Sequence, residues 1–91
     1  MMKTVHVKVS GKVQGVWFRA STKQEAEKNG INGWVKNSSD GCVEAVFQGD
    51  EQKIMDIIDW CYKGPPLSAV EHVDVKEIDT EDKYESFSMR Y

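Results

Sequence analysis

The chain has 91 residues, 40% of them apolar and 30% charged, with a net charge of -3 and a pI near 5.3. That length supports one domain, residues 1–91, with its own core, and the composition belongs to a folded chain, not a disordered one. The acidic balance argues against a nucleic-acid partner, which calls for a basic footprint, and no run approaches the roughly 20 apolar residues of a membrane span.

Residues 3–10 alternate apolar and polar, with Val5, Val7 and Val9 on one side, and predict a half-buried first strand. Met1-Met2-Lys3 leads straight into this pattern with no secretory signal, so the expected location is the cytoplasm. Gly11-Lys12-Val13-Gln14-Gly15-Val16-Trp17-Phe18-Arg19 follows, a glycine-containing turn between that strand and a helix. Such a turn gathers backbone N–H groups at one point, because the first N–H groups of a helix lack partners and its dipole favours negative charge there. Arg19 stands at the helix start, where its guanidinium offers a fork of donors matched to two phosphate oxygens. The glycine spacing fits neither the nucleotide-binding P-loop nor the dinucleotide fingerprint. On these residues alone the stretch reads either as an anion-binding turn or as an ordinary strand-to-helix turn with one exposed arginine. Of the twelve basic residues only Arg19 and Arg90 are arginines, so an anion site in this acidic chain must rely on locally aimed donors.

Residues 19–29 predict the first helix, closed by Gly30, with a thin apolar face of Phe18, Thr22 and Ala26. Residues 31–37 and 42–48 predict two strands joined at Ser38-Ser39-Asp40-Gly41, where Asp-Gly signals an antiparallel hairpin. Asp50 is suited to cap the second helix and Glu51 to complement its dipole. Ile54, Ile57, Ile58 and Cys61 form its core-facing stripe, and Lys63-Gly64-Pro65-Pro66 stops it. Residues 69–78 predict a fourth strand with Val73 and Val75 on one face, followed by a solvated acidic turn at 79–82. Phe87, Met89 and Tyr91 alternate as a short last strand. The order βαββαβ, with a fifth strand, predicts an α+β ferredoxin-like sandwich: two helices on one face of a four- to five-stranded antiparallel sheet.

That architecture hosts many functions, so function has to come from a site. Cys42 and Cys61 lack metal-type spacing and read as buried free thiols. His6 and His72 fall on separate strands without a ligand set, so no metal site is expected. Trp34 and Trp60 are expected to be partly in the core. No long apolar surface stripe is left over, which makes a monomer the expected state.

Gly11 through Arg19, quoted above, resembles the first signature of the acylphosphatases. Gly33-Trp34-Val35-Lys36-Asn37-Ser38-Ser39-Asp40-Gly41-Cys42-Val43, with Gly49 beyond it, resembles the second. The Gly-Pro-Pro after the second helix and the aromatic C-terminal strand are similar to the family too. The resemblance implies hydrolysis of a small-molecule acyl phosphate to a carboxylate and inorganic phosphate, with no metal or organic cofactor. Carried over by position, Arg19 binds the phosphoryl group and Asn37 orients the attacking water. Backbone N–H groups from Gly15 through Val16, Trp17 and Phe18 to Arg19 complete a phosphate cradle. Two positions depart from the family's habit: Trp17, where smaller or other aromatic residues are also usual, and Ser21, where a bulkier side chain is usual. Trp17 reads either as a flank for the acyl group or as simple packing. Apart from the turn residue Asp40, neither motif places His, Asp or Glu beside Asn37, so the substrate phosphate is the expected acceptor of the water's proton. A binding module that holds an anion without turning it over is the competing reading, and it has no evident need of Asn37.

Overall fold

The computed structural model describes residues 2–90. Its elements are β1 (Met2–Lys12), α1 (Phe18–Lys28), β2 (Asn32–Asn37), β3 (Val43–Asp50), α2 (Glu51–Lys63), β4 (Ala69–Glu77) and β5 (Phe87–Arg90). They form the ferredoxin-like α+β sandwich, with a five-stranded sheet in the order β4-β1-β3-β2-β5. Strand alternation decides which side chains meet the helices. Val5, Val7 and Val9 from β1, Val35 from β2 and Val43, Ala45 and Phe47 from β3 are all buried on the helix side. They meet Phe18 and Ala26 from α1 and Ile54, Ile57 and Cys61 from α2. Ile58, at the edge of the α2 stripe, is only partly buried against the same cluster. Among the described residues no helix is long and apolar enough to cross a membrane.

The sheet differs from expectation at its last strand. β1, β3, β2 and β4 pair antiparallel, but β5 runs parallel to β2, with Gly33 opposite Phe87 and Lys36 opposite Arg90. The reason is topological. β4 occupies one edge, and the chain then crosses the end of the sheet to the far edge, so it must return in the direction opposite to β4. That is the direction of β1 and β2. The crossing segment is held by two amide side chains. Gln48 donates to Asp82 O (2.8 Å) and to Thr4 Oγ1 (3.1 Å) and accepts from Tyr84 N (3.0 Å), while Asn32 donates to Tyr84 O (2.8 Å). The buried amide of Gln48 is thus satisfied, as a buried polar group must be. Tyr91, the end of the expected alternation, lies outside the described residues.

Trp60 is partly buried beside Phe18, ring centroids 5.6 Å apart, as expected. Trp34 is not in this core. Gly33 and Val35 face the helices, so Trp34 points to the opposite face of the sheet, between Arg90 (4.9 Å) and Lys36 (5.4 Å) over its ring. Glycine is required just before it: Gly33 has φ 136°, and a Cβ there would collide with the Val46 carbonyl.

Candidate active site

The turn from β1 into α1 is built from buried anchors that alternate with exposed residues. Val13, Val16 and Phe18 are buried, whereas Gly15 and Trp17 are exposed. Gly15 (φ 74°) and Trp17 (φ 67°) both adopt left-handed backbone, which reverses the chain within four residues and delivers it into the helix. Glycine does this without strain; tryptophan does not. α1 opens with no side-chain cap and no acidic residue in its first turn. In that turn lies Arg19, half-buried, whose Nη1 donates to the Arg90 carbonyl of β5 at 3.3 Å. The strand that departs from expectation therefore backs the arginine.

Asn37 is the last residue of β2, opposite Val43. The turn beyond it is closed by Ser38 N donating to Cys42 O (2.9 Å) and Gly41 N to Ser38 O (3.2 Å). Gln14 ties this turn to the loop: its Nε2 donates to Ser38 O (2.8 Å) and Cys42 O (2.9 Å). The glutamine beside Gly15 thus sets the distance between the loop and the strand end that carries Asn37. Asp40 faces into the turn, accepting from Ser38 Oγ and Cys42 N and pairing with Lys8 of β1. These partners, Lys8 foremost, hold its carboxyl well below the usual carboxylate range.

Gly15, Trp17, Phe18, Arg19 and Asn37 line one cleft of about 380 Å³, whose apolar lining is completed by Val13, Ala20 and Met89 of β5. Val16 and Phe18 both turn their side chains into the core, and of the expected loop residues Val16 alone is absent from the lining of the cleft. A larger hollow of about 1120 Å³ at the other end of the sheet is lined by Glu51, Glu77, Asp79, Glu81 and Asp82 among others, which would repel an anion. Among the described residues no group of three or more His, Cys, Asp or Glu side chains is placed to hold a metal ion. His6 pairs with Glu44 (3.4 Å) and His72 with Asp74 (2.9 Å), apart from each other. Cys42 is half-buried rather than buried, and burial pushes the Cys61 thiol up to about 12. Gln14, Met89 and the Arg90 carbonyl are contributors that sequence reasoning missed. A side chain that bonds distant carbonyls, and a carbonyl itself, leave no mark in residue pattern.

The architecture is that of a small α+β domain with a donor-bearing cleft at one end of its sheet. A family model described as Acylphosphatase matches residues 5–89. An acylphosphatase from Thiobacillus denitrificans is 49% identical over 89 residues, covering 98% of this chain and 98% of its own. Two solved structures superpose closely. An acylphosphatase from Coxiella burnetii gives a TM-score of 0.93 at 47% identity, covering 98% of this chain and 93% of that one. Acylphosphatase from Bacillus subtilis gives 0.94 at 35% identity, over 100% of both chains. The chain belongs to the acylphosphatase family.

Proposed function

We propose that this chain hydrolyses acyl phosphates to a carboxylate and inorganic phosphate without a metal or organic cofactor. In this reading Arg19 and the main-chain N–H groups of Gly15–Phe18 hold the phosphoryl group, and Asn37 orients the attacking water. Family membership and the named relatives support the reaction. The observation that supports the residue roles is the convergence of Arg19, the Gly15–Phe18 loop and Asn37, from two separate motifs, on one cleft.

The chemistry needs little more. The leaving carboxylate has a conjugate acid of pKa roughly 4, so it departs as an anion without a proton donor. Charge on the equatorial phosphoryl oxygens is the larger demand, and a guanidinium with converging N–H groups meets it. The Asn37 amide oxygen accepts a hydrogen bond from the water and so holds it in line with the breaking P–O bond. Water attacks phosphorus, the acyl carboxylate leaves with the bond pair, and the water's proton passes to the phosphate oxygens. Asp40 is a poor alternative acceptor, because Lys8, Ser38 and Cys42 already hold its carboxylate and depress its basicity. Arg19 at a helix start opposes the dipole, and a bound phosphoryl group reverses that local misfit. Both side chains come from one copy of the chain, so a monomer suffices.

The test is hydrolysis of benzoyl phosphate with EDTA present. Arg19→Ala and Asn37→Ala are each expected to lose on the order of 10²–10³ in turnover, with inhibition by phosphate lost only in Arg19→Ala. A folded wild type that turns nothing over defeats the proposal.

A further inference from the structure

The reaction scheme leaves the indole of Trp17 unused. Its backbone sits at φ 67° and ψ 19°, a left-handed conformation that is strained for a bulky side chain. Its side chain is 74% exposed, more than any other large apolar side chain among the described residues. The chain accepts strain at this position and recovers little burial in return. Glycine would hold the same turn without strain, as Gly15 does two residues earlier. Neither turn geometry nor core packing therefore accounts for a tryptophan here.

The indole stands on the cleft that Arg19 and Asn37 line, with Met89 contributing from β5. A space of about 380 Å³ falls within the range of small-molecule sites, roughly 300–1,000 Å³, and exceeds what a phosphoryl group occupies. The cleft is thus polar at Arg19 and Asn37 and apolar at Trp17 and Met89. A mixed anhydride has the same division: a charged phosphoryl end joined to an acyl end. We infer that Trp17 is the specificity-determining residue of this site, its indole forming the wall against which the acyl group lies. The class it favours is acyl phosphates with an aromatic or otherwise large apolar acyl group, over small ones such as acetyl phosphate. Offset stacking on the indole adds to the burial of apolar surface, and strain in the loop is the cost of holding the ring there. This inference rests on the proposed phosphoryl site.

Binding of non-hydrolysable analogues tests it independently of turnover. Phenacylphosphonate and acetonylphosphonate replace the bridging oxygen of the aromatic and the small substrate by CH₂. Phenacylphosphonate should bind wild type roughly tenfold more tightly, as fits one good aromatic contact, and Trp17→Gly should abolish the preference while Trp17→Phe restores part of it. The unfolding midpoint of Trp17→Gly should be at or above that of wild type, since the strain is relieved. Equal affinities in wild type, or a preference that survives in Trp17→Gly, overturn the inference. Turnover distinguishes the two levels. Wild type that hydrolyses acetyl and benzoyl phosphate with a ratio of kcat/KM unmoved by Trp17→Gly keeps the reaction and loses the acyl wall. Analogue discrimination without any turnover keeps the wall and loses the reaction.

Discussion

The two helices occupy equivalent places on the same sheet and are built on opposite terms. α2 opens on Asp50, whose carboxylate accepts from Gln52 N at 3.1 Å; Glu51 follows in its first turn and Lys63 lies in its last. Each choice suits the helix dipole, and Ile54, Ile57 and Cys61 fill the core. α1 opens on a left-handed tryptophan with no side-chain cap, places an arginine where a carboxylate belongs, and buries only Phe18, Thr22 and Ala26. Thr22 is buried with its hydroxyl donating to the Phe18 carbonyl at 2.7 Å. One helix start is tuned for stability, and the other lacks both a side-chain cap and an acidic residue and lies on a cleft. The lesson is that local misfit, concentrated at one helix terminus of an otherwise consistent fold, marks where a ligand is expected to complete the structure.

The sharpest way to break this contrast is to give α1 the charge that α2 has. Arg19→Glu places an anion at the helix start, so the dipole term improves by about 0.3–1 kcal/mol. Loss of the hydrogen bond to the Arg90 carbonyl, about 0.5–1.5 kcal/mol, works against it. Thermal melts should therefore move by only a few degrees, whereas benzoyl phosphate turnover should fall on the order of 10³-fold or more because a carboxylate in the proposed phosphoryl site repels the anionic substrate. Turnover surviving in a stable Arg19→Glu would remove the arginine from the mechanism.

Gln14→Ala sharpens the comparison in a different place. Its two bonds, to Ser38 O and Cys42 O, join the loop before α1 to the turn after Asn37. Without them the proposed cradle and Asn37, the proposed water-orienting amide, can drift apart, and a displacement near 1 Å is worth about 10²-fold in rate. The expected result is a fall of roughly ten- to a hundredfold in kcat with a smaller change in phosphate inhibition, because Arg19 keeps its place on α1. A lowered melting temperature with kcat intact would reduce Gln14 to a structural tie.

These residues also show how far the sequence could be read. β1, the hairpin and α2 follow from alternation, an Asp-Gly turn, a cap and an i, i+3, i+4, i+7 stripe, all local signals that the structure obeys. Arg19 and Asn37 could be singled out as candidates because the two motifs that resemble the family's signatures are themselves local. Beyond that point the deciding interactions are distant. The direction of β5 depends on where residues 78–86 cross, which Gln48 and Asn32 settle by bonding to main chain 34 and 52 residues away. Strand periodicity assigns Trp34 to one of two faces, but only the partners of Gly33 and Val35 show which face is the core. Left-handed backbone is foreshadowed by glycine or asparagine, so a tryptophan in that conformation at position 17 gives no warning.

Asp50→Ala is the counterpart on α2. It removes the cap and should cost about 1 kcal/mol, or roughly 4–8 °C in a domain of this size, with kcat for benzoyl phosphate unmoved. If kcat fell in step with stability, the two helix starts would not be separable in the way their construction implies.

The smallest expected effect lies in the turn that follows Asn37. Lys8, then Ser38 and the Cys42 N–H, hold the Asp40 carboxyl below its ordinary range, and the same pair raises the Lys8 ammonium. A carboxyl depressed in the folded state contributes stability above its unfolded value, roughly 4, and that contribution fades as pH falls through the folded value. Wild type should therefore melt slightly above Asp40→Asn at pH 7, and the gap should narrow as the buffer is taken below about pH 4. The lysine's share is present across the neutral range and is lost only as pH rises beyond its raised value, so it does not blur the acid limb. Both groups are on the surface, and added salt should shrink the gap as well. Turnover by Asp40→Asn should stay near wild type, since in the proposed mechanism the proton of the attacking water goes to the substrate phosphate. A gap constant from pH 7 to strong acid would show that Asp40 acts by shape rather than charge, and loss of turnover with phosphate affinity intact would make it the missing base.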